Sequence, residues 1–207
     1  MEYEKVIREL SEFEKSALLE TFNIGASRAA DTLSEMIGRP VSIAVPELEV
    51  ISIKTLPEKV GENVVVAVYV SLGKEFSGHA FFILDFEDAC KLVDLMMMQE
   101  PGTTQELDEM AQSAIAEVGN ILISAYANAL SEFLGVTIEQ SPPSVAMDFL
   151  PAILDFALAD IGQYCDYTIL LLTTMTIEGV EFKEHFFILP KPEDMVKLIK
   201  KLVGEVV

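Results

Sequence analysis

Four residue types recur at one spacing in two places in the chain, and their side chains are suited to chemistry on a partner. The two sets are Ser16, Glu20, Asn23 and Pro46 and, 97 residues further on, Ser113, Glu117, Asn120 and Pro143. A carboxamide both donates and accepts hydrogen bonds, so an exposed Asn can orient a water molecule. A carboxylate one helical turn before it can bind a cation through a charge-assisted hydrogen bond.

A simpler interpretation of either set alone is that its residues merely face solvent. A duplicated surface normally drifts in sequence, yet Ser, Glu and Asn coincide in both copies. The coincidence favours a functional role without excluding the simpler one. No Gly-rich phosphate loop and no Ser-His-Asp spacing is visible, so we interpret Ser16 and Ser113 as support for the motif and not as nucleophiles.

Two long helices must position these residues. We expect the first from about Ser11 to Gly38, where Gly-Arg-Pro ends it, and the second from near Glu106 to Gly135. On a helical wheel the polar trio of each helix lies opposite an apolar stripe that should face the core. The predicted stripes are Leu18, Phe22, Ala29, Leu33 and Met36 in the first helix and Ile115, Leu122, Tyr126, Leu130 and Phe133 in the second.

Two glycines accompany the motifs, and each is unfavourable inside a helix. We interpret Gly25 and Gly119 as points where another element packs closely, in preference to a role in holding phosphate. Both interpretations remain open from the sequence.

The rest of the chain also repeats, since FFILDFEDACKLV at 81–93 resembles FFILPKPEDMVKLI at 186–199. Strand-like runs ENVVVAVYV, EFSGHAFFIL, YTILLLTTMTI and EFKEHFFIL form two hairpins, with turns expected at Leu72-Gly73-Lys74 and at Glu178-Gly179. We therefore predict one α/β (α+β) domain built from two repeats, about 8–100 and 105–203. Its largely antiparallel sheet should pack against the two long helices with pseudo-twofold symmetry.

Composition narrows the classes of function. The 207 residues carry a formal net charge of −20, and such a surface repels nucleic acid and anionic membranes. No apolar run approaches the ~20 residues of a membrane span, so we expect a cytoplasmic protein without membrane insertion. Cys90 and Cys165 fit two reduced thiols, and His79 and His185 lack further ligands at metal spacing, so we expect no metal site.

The pattern S-x3-E-x2-N-x22-P, found twice, resembles the signature of the CheC/CheX/FliY family of chemotaxis phosphatases. The doubled form is similar to that of the CheC-type members, and the resemblance extends over nearly the whole chain. One departure is Phe22, where the family often has Gly before the Asn; the second copy keeps Gly119. The wheel places Phe22 in the core, so altered packing is the favoured explanation, and a weaker first site is the alternative.

The resemblance implies a hydrolase that removes the aspartyl phosphate of a CheY-type response regulator. It implies that Asn23 and Asn120 orient the attacking water and that Glu20 and Glu117 dock on a regulator lysine. The Mg²⁺ would belong to the regulator, with no cofactor bound by this chain. An acyl phosphate is already activated, so positioning and charge neutralisation suffice for catalysis. Arg28 is a candidate for tuning the docking, although a generic surface charge is the simpler interpretation.

A second partner is implied after Pro143, where the halves differ. Residues 149–159, FLPAILDFALA, are typical of a short apolar helix that packs in the core or presents a docking surface. CheC-like proteins bind the receptor deamidase CheD in this region. The residues expected to contact such a deamidase are Asp148, Phe149, Ile153 and Phe156.

Two other functions share the motif. One is a regulatory binding module that holds the phosphorylated regulator or the deamidase with little turnover. The other is a component of the flagellar switch, as in FliY-like proteins. The spacing of the motif does not distinguish a fast phosphatase from a binder.

Overall fold

A seven-stranded antiparallel sheet lies between two layers of helices. The computed structural model describes residues 11–61, 63–161, 167–202 and 204. Within these ranges, no helix is both long enough and apolar enough to cross a membrane. The mixed α/β architecture with an antiparallel sheet confirms the predicted fold class.

The two long helices begin and end at side-chain and glycine caps. Helix α1 spans Glu12–Ile37; Ser11 and Glu14 form a capping box at its start, and Gly38 ends it at φ 71°. The second long helix spans Glu109–Leu134 and ends at Gly135 with φ 72°. It begins later than the expected Glu106, because the Asp108 carboxylate accepts a hydrogen bond from Ala111 N at 2.8 Å and sets the first turn there.

The sheet places the two predicted hairpins side by side at its centre. The strands are β1 Val41–Ser52, β2 Val64–Lys74, β3 Gly78–Asp85, β4 Ile138–Gln140, β5 Ser144–Phe149, β6 Tyr167–Ile177 and β7 Val180–Pro190. They follow the order β1-β6-β7-β3-β2-β4 across the sheet, with β5 also paired to β2. Phe81 of β3 lies opposite Phe187 of β7, with ring centroids 4.7 Å apart.

The two hairpin turns differ from each other in how well the sequence predicted them. Glu178 and Gly179 have positive φ angles of 51° and 83°, as the second predicted turn requires. The first turn instead lies after Lys74, so the prediction of a turn at Leu72-Gly73-Lys74 is wrong by a few residues. These three residues remain in β2 because they pair with β4, an element of the other half of the chain.

Shorter helices complete the layers, and the order of elements repeats along the chain. The remaining helices are α2 Leu56–Val60, α3 Phe86–Met96, α5 Leu150–Ile161 and α6 Pro192–Leu202, and the second long helix is α4. Each half contains a long helix, edge strands, a short helix, a hairpin and a final helix. The repeat bounds of about 8–100 and 105–203 stay a prediction, and residues 8–10 and 203 lie outside the described residues.

Two hydrophobic cores cover the two faces of the sheet. Helices α1, α3, α4 and α6 bury their apolar faces on one side, where Phe22, Tyr126 and Phe186 form an aromatic cluster. Helices α2 and α5 cover the other side around Phe81 and Phe187. The sheet therefore supports α1 and α4 together, and both helices turn their opposite faces outward.

The predicted apolar stripes are largely confirmed. In α1, Leu18, Phe22 and Leu33 are fully buried. Met36 is an exception, since 39% of it is exposed and the prediction that it faces the core is wrong. It sits at the margin of the stripe in the last turn, where Ile37 is buried instead. In α4 the four residues Ile115, Leu122, Tyr126 and Leu130 are buried, and Phe133 is half-buried.

Both glycines of the motif regions are close-packing points, as the sequence favoured. A Cβ on Gly25 of α1 would lie 2.9 Å from Tyr126 Cδ1 and 3.1 Å from the Ala125 carbonyl oxygen. A Cβ on Gly119 of α4 would lie 2.5 Å from both Cβ and Cγ2 of Val68 in β2. Gly25 thus lets the long helices approach each other, and Gly119 lets α4 approach the sheet.

Asp94 ties the connection between the two halves to α3. Its carboxylate is fully buried and accepts hydrogen bonds from the backbone N–H groups of Gly102, Thr103 and Thr104 at 2.7 to 3.0 Å. Burial raises the pKa of Asp94, but the hydrogen bonds outweigh burial and hold the pKa below its usual value. The connecting segment therefore starts α4 from a defined position.

A buried carboxyl group lies on the sheet face that α1, α3, α4 and α6 cover. Glu184 of β7 is 2% exposed, and burial raises its pKa from 4.5 to about 8. Its Oε2 atom and the Tyr126 hydroxyl have no hydrogen-bond partner among the described residues. Burial and the charge of Glu184 also raise the pKa of Tyr126. Below about pH 8, Glu184 is therefore protonated in the folded protein.

We expect Gly119→Ala to destabilise the fold by about 1–3 kcal/mol, because the new methyl group would overlap Val68. This cost exceeds the helix-propensity gain of about 1 kcal/mol from replacing Gly by Ala. Urea denaturation measures the change. Gly73→Ala is the control, because a Cβ there meets nothing within 4 Å. Equal stability of Gly119→Ala and the wild type would contradict the packing role.

We expect Glu184→Gln to flatten the dependence of stability on pH. The pKa of Glu184 is higher in the folded chain, so its favourable contribution is complete below about pH 4.5 and is lost as the pH rises to about 8. Between pH 4.5 and pH 8 the variant should gain about 4 kcal/mol of stability relative to the wild type. Denaturation from pH 4.5 to 8.5 tests this, with the exposed Glu181→Gln on the same strand as control. Parallel curves for Glu184→Gln and wild type would contradict it.

Candidate functional site

The predicted motif residues lie on the outward faces of α1 and α4. Glu20 and Glu117 are exposed, and Asn23 and Asn120 are half-buried at the same helical spacing. Among the described residues neither glutamate forms an ion pair or a side-chain hydrogen bond. The two carboxylates are therefore available to a cation on a partner, and their docking role stays a prediction.

Ser16 and Pro46 lie together beside the first pair. Ser16 is exposed, and its hydroxyl donates a hydrogen bond to the Glu12 carbonyl oxygen at 2.7 Å. It lines a shallow groove of about 440 Å³ with Leu19 of α1 and with Pro46 and Glu47 of β1. The first motif therefore brings α1 and the edge strand β1 to one surface.

Both motif prolines lie where the edge of the sheet is irregular. In β1, Ala44 pairs with Thr174 and Glu47 with Leu172, so the register with β6 skips Val45 and Pro46. In the second half, Pro143 lies between β4 and β5, which pair with separate parts of β2. Proline has no backbone N–H, and such breaks in a ladder accommodate it. Ser113 is exposed on α4, and Pro143 is half-buried.

The Asn23 carboxamide is bonded to the protein at both ends. Its Nδ2 donates to the Leu19 carbonyl oxygen at 3.1 Å, within α1. Its Oδ1 accepts from the Val45 backbone N–H at 3.4 Å, across the gap to β1. Val45 is 3% exposed, so its N–H lies away from solvent. Asn23 thus also satisfies the backbone at the β1 bulge.

Asn120 has a different environment. Its side chain has no hydrogen bond to any other residue that the structure describes. It lines a groove of about 490 Å³ with Ser124 and Asn128 of α4 and with Arg28 of α1. The carboxamide of Asn120 is therefore free to bond with a molecule placed in that groove.

Arg28 joins the two long helices beside Asn120. Its guanidinium donates two hydrogen bonds to the Glu132 carboxylate at 2.8 and 3.0 Å. The hydrogen bond raises the pKa of Arg28 and lowers that of Glu132. Both side chains are exposed, so the ion pair adds little stability. It places a charged pair in the lining of the groove. The sequence pointed to Arg28 but gave no indication of Glu132 as its partner.

Asn120 lines the groove next to Arg28, and neither Glu20 nor Asn23 lines that groove. The groove at Pro46 is lined by Ser16 but by neither residue of the first pair. The contact between Asn23 and Val45 was not found from the sequence. A signal for it existed: the residue before the motif proline is Val45 in the first copy and Pro142 in the second. Only Val45 has an N–H to donate.

The residues expected to bind a second partner lie at the junction of β5 and α5. Asp148 and Phe149 are exposed, Phe149 by 54%, whereas Ile153 is 8% exposed and packs against the sheet. Phe156 belongs to α5, but its side chain lies outside the described residues. Asp148 and Ile153 both line a pocket of about 360 Å³ next to Met147.

The two histidines that could have bound a metal are engaged in a local contact or partly buried in the fold. The Tyr69 hydroxyl and His79 Nδ1 lie 2.7 Å apart in a hydrogen bond, and burial lowers the pKa of His185. The described parts of the chain contain no group of three His, Cys, Asp or Glu residues that could hold a metal. Cys90 is a buried free thiol, and Cys165 lies outside the described residues.

The fold and the surface motifs together define a class of protein: an antiparallel α/β domain that presents a Glu–Asn pair on each of two long helices. Residues 110–147, which span most of α4 and reach β5, match the sequence profile of the CheC-like family. The chain is also 26% identical to "CheY-P phosphatase CheC" of Bacillus subtilis over 93% of this chain and 95% of that protein. The chain is thus similar to the CheC-like family in this segment and to a CheC protein over nearly its whole length.

Two solved structures share the fold of this chain. Thermotoga maritima FliY aligns with a TM-score of 0.75 and 26% identity, over 96% of this chain and 100% of that chain. The CheX-CheY-BeF3-Mg+2 complex of Borrelia burgdorferi aligns with a TM-score of 0.51 and 18% identity, over 83% and 96% of the two chains. The latter likeness shows the shared fold.

Proposed function

We propose that this chain is a phosphatase that hydrolyses the aspartyl phosphate of a CheY-type response regulator. The observation that carries the proposal is the presence of a Glu–Asn pair on the outward face of each long helix, with Asn120 lining an open groove. A protruding helix can enter the cleft of another protein, whereas enzymes for small molecules use concave pockets. The relative from Bacillus subtilis is named a CheY-P phosphatase.

In the proposed complex the glutamates and asparagines have separate tasks. Glu20 or Glu117 binds a lysine of the regulator through a charge-assisted hydrogen bond and so positions the helix. Asn23 or Asn120 holds a water molecule in line with the phosphorus by donating and accepting hydrogen bonds. The water oxygen bonds to phosphorus, the bond from phosphorus to the aspartyl oxygen breaks, and the carboxylate and inorganic phosphate are released.

The regulator supplies the rest of the chemistry in this proposal. Its Mg²⁺ neutralises the charge of the phosphoryl group, so the chain described here needs to bind no metal itself. An acyl phosphate is an activated substrate, and placement of one water molecule is the main contribution required from the phosphatase. We place this reaction in the cytoplasm, where the response regulator acts.

We also propose that a CheD-type deamidase docks at the junction of β5 and α5. The supporting features are the exposed Phe149 and Met147 and the neighbouring carboxylate of Asp148, which together combine an apolar contact with a charge. Ile153 supports this surface from below. Phe156 remains part of the proposal.

The double variant Asn23→Ala/Asn120→Ala should lose about 10²-fold or more of the acceleration of regulator dephosphorylation, because neither site can orient water. The measurement is the decay of phosphorylated regulator with Mg²⁺ at increasing phosphatase concentration. Asn63→Ala is the matched control, since Asn63 is an exposed asparagine outside both motifs and outside the groove at Asn120. A double variant as fast as wild type would refute the mechanism. Wild type that binds the regulator without accelerating decay would favour the binding module.

Asp148→Lys should abolish co-purification with a CheD-type deamidase, because it reverses the charge at the centre of the proposed surface. Asp31→Lys serves as control, since it makes the same change at an exposed position of α1. Both variants should keep the phosphatase activity of the wild type. Unchanged binding of Asp148→Lys would count against this docking surface.

A further inference from the structure

The two Glu–Asn pairs share one spacing, yet the structure gives their asparagines different bonds. Asn23 Oδ1 accepts the Val45 backbone N–H, and Asn23 Nδ2 donates to the Leu19 carbonyl oxygen. Asn120 has neither bond among the described residues and lines an open groove instead. The difference therefore concerns the two asparagine side chains that orient water in the proposed reaction.

The edge strands explain the difference. The register between β1 and β6 skips Val45, and the bulge directs its N–H towards α1, where Asn23 accepts it. In the second copy Pro142 occupies the matching position, immediately before the motif proline Pro143. Proline has no N–H, so nothing at this position can bind the Asn120 carboxamide oxygen.

The backbone around Pro142 is satisfied without Asn120. Ser141 N donates to the Ser71 carbonyl oxygen at 3.0 Å, and Ser71 N donates to Ser141 Oγ at 3.0 Å. These bonds tie the segment between β4 and β5 to β2. In the second copy, Ser141 thus satisfies the backbone at the break between β4 and β5, and Asn120 has no hydrogen bond to the described residues there. In the first copy, Asn23 itself satisfies the backbone at the bulge.

We propose that Val45 holds the Asn23 carboxamide on the protein, that Pro142 leaves the Asn120 carboxamide free, and that the Asn120 site therefore performs most of the hydrolysis. Val45 and Pro142 are positioning residues in this inference, which rests on the proposed phosphatase function. To bind water in the regulator, Asn23 must first release a buried N–H that then has no acceptor, and this release opposes turnover. Within the described part of the chain, Asn120 has no such hydrogen bond to break before it binds water. Val45 was not part of the recognised motif.

The first test compares the two sites directly. We expect Asn120→Ala to lose about tenfold more of the accelerated decay than Asn23→Ala, which corresponds to about 1.4 kcal/mol. The difference should appear in kcat, with KM little changed, because Glu20 and Glu117 dock the regulator in both variants. Equal losses in the two variants, or a larger loss in Asn23→Ala, would overturn the inference. Wild type that fails to accelerate decay would refute the proposed function.

The second test removes the backbone N–H from the first copy and adds one at the matching position of the second copy. In the Asn120→Ala background, Val45→Pro should raise kcat of the remaining site, whereas Val45→Ala, which keeps the N–H, should not. In the Asn23→Ala background, Pro142→Ala adds an N–H at an exposed position and should lower kcat. This second variant decides the question if Val45→Pro does not fold. Unchanged kcat in Pro142→Ala would overturn the inference.

A third measurement tests the contact without turnover. Amide hydrogen exchange at Val45 should be slow in wild type and faster in Asn23→Ala, because the N–H loses its acceptor. Exchange at Val65, a buried residue of β2 on another part of the sheet, should stay the same and serves as the internal control. Equal protection of Val45 in both proteins would show that Asn23 does not hold this N–H, whether or not the chain is a phosphatase.

Discussion

The close approach of α1 and α4 to each other and of α4 to the sheet is the constraint on which the rest of the structure depends. It is made possible at Gly25, beside Tyr126, and at Gly119, beside Val68. A methyl group at either position would meet its neighbour at 2.9 Å or less. With both helices seated on one face of the sheet, their polar faces are forced outward, and the two Glu–Asn pairs become available to a partner.

The same packing explains why this chain can have Phe22 at the position before Asn23, where the family often has glycine. Its ring is fully buried and meets Tyr126 edge-on at 5.9 Å and Phe186 at 6.5 Å. At the corresponding position of α4, Gly119 lets the helix backbone touch the strand. The two helices thus use different side chains at equivalent positions. Phe22 itself does not alter the exposed face of α1; the difference between the two sites comes from the edge strands.

Much of the architecture was accessible from local sequence patterns. The long helices, the paired hairpins and the short apolar helix α5 were predicted, because periodicity, caps and turn residues act over a few neighbouring positions. Predictions failed where contacts between segments distant in the chain determine the local structure. The turn after β2 was misplaced because β4 extends the strand, and Met36 is exposed because the position of the last turn of α1 on the sheet is a tertiary property.

By itself the sequence determined which residues share a helix face, since the positions of Glu20 and Asn23 around the helix axis follow from helical geometry alone. It also contained the substitution of Pro142 for Val45, without indicating its meaning. Only the tertiary structure decided that Val45 N–H meets Asn23, because that contact depends on a bulge in the pairing of β1 with β6, two strands more than a hundred residues apart in the chain. Hydrogen-bond partners across such separations depend on register and packing, and neither can be read from local spacing.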